Sequence, residues 1–183
     1  MSALTEFDVG PLTWVKGEID QAVNHAQEKL AQFVLNTEDF SQLRFCLTHL
    51  HQVTGALQMV GLEGVARYSE EIESLVNAVE KQELAVDPSH LDLIKRALLT
   101  LSQYLDDLMN GASNTPLQLF PIYSELMRAR GTERIAESDL FFPDLGARAP
   151  KNPQSSQADE SELPKLIKRE RAKFQRGDRK SVV

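Results

Sequence analysis

The chain has 183 residues, 42% of them hydrophobic, and a formal net charge of −7. Its length suits a domain with a packed core plus an extension, and one cysteine with four histidines excludes a disulfide framework or a cysteine-based metal site. Residues 1–145 carry 10 Lys+Arg against 22 Asp+Glu, whereas residues 146–183 carry 10 against 5, so the acidic body offers no phosphate-tracking face to nucleic acid.

No apolar run approaches a membrane span, and the opening "MSALTEFDVG" lacks the basic and apolar regions of a signal peptide. A cytoplasmic protein without membrane contact is therefore expected, and the one thiol, Cys46, suits a reducing compartment.

In chain order, Leu12, Val15, Ile19, Val23, Ala26, Leu30 and Phe33 recur at three or four residues, which predicts a first helix. Pro11 fits its first turn. The stretch "NTEDF" ends it, with Asn36, Thr37 and Asp39 available to cap the next helix, expected over about residues 39–60. Gly61 and Gly64 mark a tight turn or restart. A third helix places Val65, Tyr68, Ile72, Leu75 and Val79 on one face. Asp87 and Pro88 open a fourth, whose stripe Leu91, Ile94, Leu98, Leu101, Leu105 and Leu108 stops at Asn110–Gly111.

Short connections make sequence neighbours antiparallel, so the expected fold is all-α, an up-down four-helix bundle. "TPLQLFPIYSELMRARG" adds a shorter helix, and "ESDLFFPDLG" an apolar loop that packs back on the bundle. Residues 1–145 form the expected domain. Residues 146–183 read as a linker, rich in Pro, Ser and Gln, and the start of a further helix, largely disordered.

The second helix raises a chemical question. It contains His49, His51 and an interior glycine, Gly55. Helical geometry gathers Leu43, Cys46, Leu50, Val53, Leu57 and Val60 on the core side and puts His51 about 130° away, facing solvent. His49 falls at the opposite edge of the stripe, so the two histidines cannot chelate one metal ion. No metal or cofactor is expected. Residue 55 would lean over His51, since helical side chains point toward the N-terminus. Glycine there either clears space beside the imidazole or lets another helix approach.

"HQVTGALQMVG" resembles the phosphoacceptor motif of histidine phosphotransfer (HPt) domains, H-x-L-K-G followed by small residues and a later glycine. "YSEEIESLV" resembles the following helix of those domains. The resemblance implies that His51 accepts a phosphoryl group, that Gly55 gives room, and that Thr48 and Gln58 hydrogen-bond the imidazole or phosphoryl oxygens. Leu62 would join the docking rim. Two positions depart from the motif. Thr54 stands at the usual lysine and Leu57 at a usually small residue, with Arg44 a candidate substitute for the missing cation.

A wider resemblance covers most of the chain. "LTWVKGEIDQAVNHAQEKLAQFV", "LFPIYSELMRARG" and "FFPDLG" look like the FimL-like N-terminal region of the CheA-type hybrid histidine kinases of type IV pilus chemosensory systems, the ChpA/PilL group. This implies a fragment of a larger kinase that is not an enzyme by itself. Its implied partners are a response-regulator receiver domain or a kinase core. The alternative is a non-phosphorylated module of the same fold that recruits a pilus-hub or scaffold protein. A hydrolytic or metal enzyme finds no support among the residues.

Overall fold

The computed structural model describes residues 9–142. Five α-helices follow one another: α1 (Gly10–Leu35), α2 (Ser41–Met59), α3 (Glu63–Glu80), α4 (Pro88–Met109) and α5 (Phe120–Ala129). A 3-10 turn, Pro116–Leu119, leads into α5, and another, Glu137–Leu140, follows it. The described residues are all helix, turn or loop, as the periodicity predicts. The tail expected over 146–183 lies outside the described residues.

The punctuation works by local hydrogen bonding. Asp39 accepts the Ser41 amide at 3.2 Å and also holds its hydroxyl, which keeps the Asp39 carboxyl below its usual range. At α4, Asp87 accepts the Ser89 amide at 2.7 Å while Pro88 occupies the first turn. Gly61 adopts φ +77°, the left-handed geometry that ends α2. The Leu62 amide then returns to the Leu57 carbonyl at 3.0 Å, and α3 begins at once.

Antiparallel packing is visible in the pairs across each interface. His25 packs on His49, Lys29 lies over Phe45 and Phe33 packs on Phe40, so residue numbers rise on α1 as they fall on the facing chain. Across α2 and α3, Thr54 meets Ser69 while Arg44 meets Glu80. Helix α4 closes the bundle against α1 and α3, and α5 with both 3-10 turns covers α3. All four apolar stripes enter one core. Only Val15 and Val60 among the expected members are half-buried.

Helix α3 is enclosed on most of its circumference. Gly64 lies in its first turn, where a Cβ would stand 2.7 Å from Pro116 Cβ and 2.8 Å from the Leu140 carbonyl oxygen. It is thus a close-approach glycine at the helix restart, while Gly61 makes the tight turn. Leu140 is fully buried, so the loop after α5 packs back as expected up to that residue, while Phe141 and Phe142 are exposed.

Candidate functional site

His51 projects from the middle of α2 with 85% of its side chain exposed. Its Nδ1 lies 3.4 Å from Glu73 Oε2 on α3, a carboxylate whose side chain is only 20% exposed. The other Glu73 oxygen, Oε1, accepts a hydrogen bond from the Thr54 hydroxyl. Thr54 itself is 5% exposed, and its Oγ1 lies 2.8 Å from Ser69 Oγ, which is fully buried. A polar chain therefore runs from the bundle interior to the exposed imidazole: Ser69, Thr54, Glu73, His51.

This arrangement fixes what the imidazole can do. When Nδ1–H donates to Glu73, the neutral ring leaves the Nε2 lone pair free. The flank is open, because a Cβ on Gly55 would meet nothing within 4 Å. Helix approach is thus not the reason for the glycine among the described residues. Cys46 is no rival nucleophile: burial pushes its thiol up to about 12.

The other expected site residues are placed differently. The Thr48 hydroxyl donates to the Arg44 carbonyl of its own helix at 3.0 Å. Gln58 Nε2 donates to Glu70 Oε1 at 3.1 Å. Neither therefore bonds the imidazole. Arg44 Nε is held by Glu80 Oε1 at 2.6 Å, two turns from His51. Thr54 faces α3 and the core edge, not the solvent beside Nε2. Leu62 is fully buried at the α2–α3 turn and cannot form a docking rim. His49 packs on His25 with ring centroids 5.0 Å apart, away from His51. Among the described residues, no group of three or more His, Cys, Asp or Glu is placed to hold a metal ion.

Glu73 is the residue the motif alone does not single out. It stands inside "YSEEIESLV", one turn after Ser69 and next to the apolar Ile72. Three glutamates occur in that stretch, and only the antiparallel register against α2 decides which one meets His51. Glu70 goes to Gln58 and Arg67, and Glu71 turns inward to Arg67 and Arg130.

The four helices that carry this site have a family counterpart. A family model described as the FimL C-terminal domain matches residues 12–119, from α1 to the 3-10 turn before α5. The chain belongs to that family. It is similar to the scaffold protein FimL of Pseudomonas aeruginosa, with 25% identity over 167 residues, covering 91% of this chain and 30% of that protein. It is also similar to the chemotaxis protein CheA of Cereibacter sphaeroides, with 22% identity over 147 residues, covering 75% of this chain and 21% of that protein. The chain thus spans 30% or less of the length of these relatives. Among the described residues, no helix is long and apolar enough to cross a membrane.

Proposed function

We propose that this is a phosphoryl-accepting domain of a chemosensory pathway that controls type IV pili, with His51 as the acceptor. The observation that carries the reading is the exposed imidazole whose Nδ1 faces the Glu73 carboxylate at 3.4 Å. The family membership and the similarity to a chemotaxis protein support a chemosensory setting. The donor is an aspartyl phosphate on a receiver domain, or ATP bound to a kinase core.

The Nε2 lone pair attacks phosphorus in line, and an N–P bond forms as the P–O bond to the leaving carboxylate or ADP breaks. The leaving oxygen keeps the electron pair. The ring becomes cationic, and Glu73 beside Nδ1–H offsets that charge. Mg²⁺ and the groups that hold the donor belong to the partner, so the domain is a relay substrate. Gly55 leaves room for the donor loop to reach Nε2.

The test is a phosphotransfer assay with the receivers and kinase core of the same organism. Phosphate stable to base and labile to acid is expected on the wild type and absent from His51→Gln. A wild type left unlabelled by every such donor overturns the reading.

A second reading has its own supporting observation. Thr54 is neutral and Arg44 is committed to Glu80, so the charge expected beside a phosphorylated histidine is not supplied from these positions. The similarity to a scaffold protein agrees with a recruiting module. That reading requires His51→Gln to bind partners as the wild type does.

A further inference from the structure

We infer that Thr54 and Ser69 are positioning residues that set the tautomer of His51 through Glu73. This rests on the reading of His51 as a nucleophile but makes a claim about the unphosphorylated protein. It begins from proton bookkeeping. The Thr54 hydroxyl has one proton to give. It goes to Glu73 Oε1, the acceptor that Thr54 Oγ1 faces. The 2.8 Å contact between Thr54 Oγ1 and Ser69 Oγ can then be satisfied only by the Ser69 hydroxyl donating to Thr54. Direction propagates outward from the fully buried Ser69.

The consequence falls on the carboxylate. A glutamate side chain has three rotatable bonds, and among the described residues Glu73 is held by His51 and Thr54. With Oε1 fixed from the core side, Oε2 is left facing Nδ1 at 3.4 Å. That is long for a hydrogen bond in the resting state, and contacts of this kind tighten as charge develops in the reaction. An oriented carboxylate makes Nδ1 the protonated nitrogen, so Nε2 is the one that stays open to solvent. Thr54 thus does not replace a cation beside the phosphoryl group. It acts from the opposite side, through the group that orients the ring.

The two residues are suited to this by burial. Thr54 and Ser69 are 5% and 0% exposed, so water does not compete for either hydroxyl. Their loss also affects stability, since a Ser69 hydroxyl without its acceptor is a buried unpaired group. A readout other than stability is therefore required.

The test is nitrogen-15 NMR of the His51 imidazole in the unphosphorylated protein, with Thr54→Val, Thr54→Ser, Ser69→Ala and Glu73→Gln. In the wild type the neutral ring is expected mainly as the Nδ1–H tautomer. Thr54→Val and Glu73→Gln should shift the ratio toward that of a solvated imidazole, Ser69→Ala should shift it less, and Thr54→Ser should restore it. Transfer to Nε2 in Thr54→Val should slow by about tenfold, the scale of one hydrogen bond to a charged group. A folded Thr54→Val with the wild-type tautomer ratio overturns the inference. If that variant does not fold, an unchanged ratio in Ser69→Ala overturns it. Failure of phosphotransfer with the tautomer shifts intact would count against the acceptor function and leave this inference standing.

Discussion

Glu71 and Arg130 are 59 residues apart in the chain and joined by a 2.5 Å hydrogen bond. The other carboxylate oxygen is held by Arg67 Nη2 at 2.8 Å. The burial is unequal: the Glu71 side chain is 3% exposed, the arginines 38% and 33%. Both guanidinium groups can return to water, but the carboxylate cannot. Removing both arginines should therefore strand a buried charge and destabilise the fold by about 3–5 kcal/mol. Glu71→Met should cost less than about 2 kcal/mol, because the freed arginines rehydrate. Urea midpoints of the two variants decide the order, and the reverse order would refute the argument.

Gly64 and Gly55 should respond oppositely to alanine. At Gly64 the new Cβ meets Pro116 and the Leu140 backbone within 2.8 Å, so Gly64→Ala should destabilise by about 1–3 kcal/mol through overpacking. At Gly55 the Cβ enters open space in mid-helix, and Gly55→Ala should stabilise by about 0.5–1 kcal/mol. The same methyl crowds the approach to His51. Gly55→Ala should therefore be more stable yet slower to accept phosphate, which thermal unfolding and a labelling time course can test together.

Cys46 gives a pH dependence with a defined sign. Its folded thiol is pushed up to about 12 from a usual value of 9.0. Above pH 9 the unfolded chain loses this proton and the folded chain keeps it, so stability falls as pH rises toward 12. The slope approaches about 1.4 kcal/mol per pH unit. Tyr68 and Tyr104 are also raised by burial and act in the same direction. Comparison with Cys46→Ala isolates the thiol, because the tyrosines remain in both proteins. The stability gap between wild type and Cys46→Ala should narrow between pH 9 and 11 in denaturant titrations, and a constant gap would contradict the assignment.

Arg44 should prove dispensable for phosphate acceptance. Its side chain is 74% exposed and already paired with Glu80. A surface pair of this kind contributes about 0–1 kcal/mol. Arg44→Ala should therefore alter the labelling rate of His51 by less than about twofold. A larger loss would show that Arg44 leaves Glu80 to meet the phosphoryl group.

The bundle was legible because burial on one side of a helix leaves a period in the sequence. Leu43, Leu50 and Leu57 show it on α2, and Ile94, Leu101 and Leu108 on α4. The exposure of His51 follows from the same angular rule, whereas that rule leaves two reasons for Gly55, and only the packed structure shows its flank to be open. The partners of the site were not legible, for a different physical reason. Whether Glu70, Glu71 or Glu73 meets α2 depends on the register between two helices, which the turn at Gly61 fixes. A helical wheel treats each helix alone. The roles expected of Thr48, Gln58 and Arg44 failed to appear at the imidazole because each had a nearer partner, a carbonyl or a carboxylate. Leu62 illustrates the same limit, since a turn residue can be fully buried when the next helix starts beneath it.

The enclosure of α3 has a mechanical meaning. His51 rides on the exposed side of α2, which packs on α1 and α3, while Glu73 rides on a helix held by α2, α4, α5 and two 3-10 turns. Both halves of the pair are therefore braced, α2 by α1 and α3, and Glu73 by the elements around α3. The 3.4 Å separation of Nδ1 and Oε2 is thus set by the register of two packed helices, as a spacing in a frame and not a hinge.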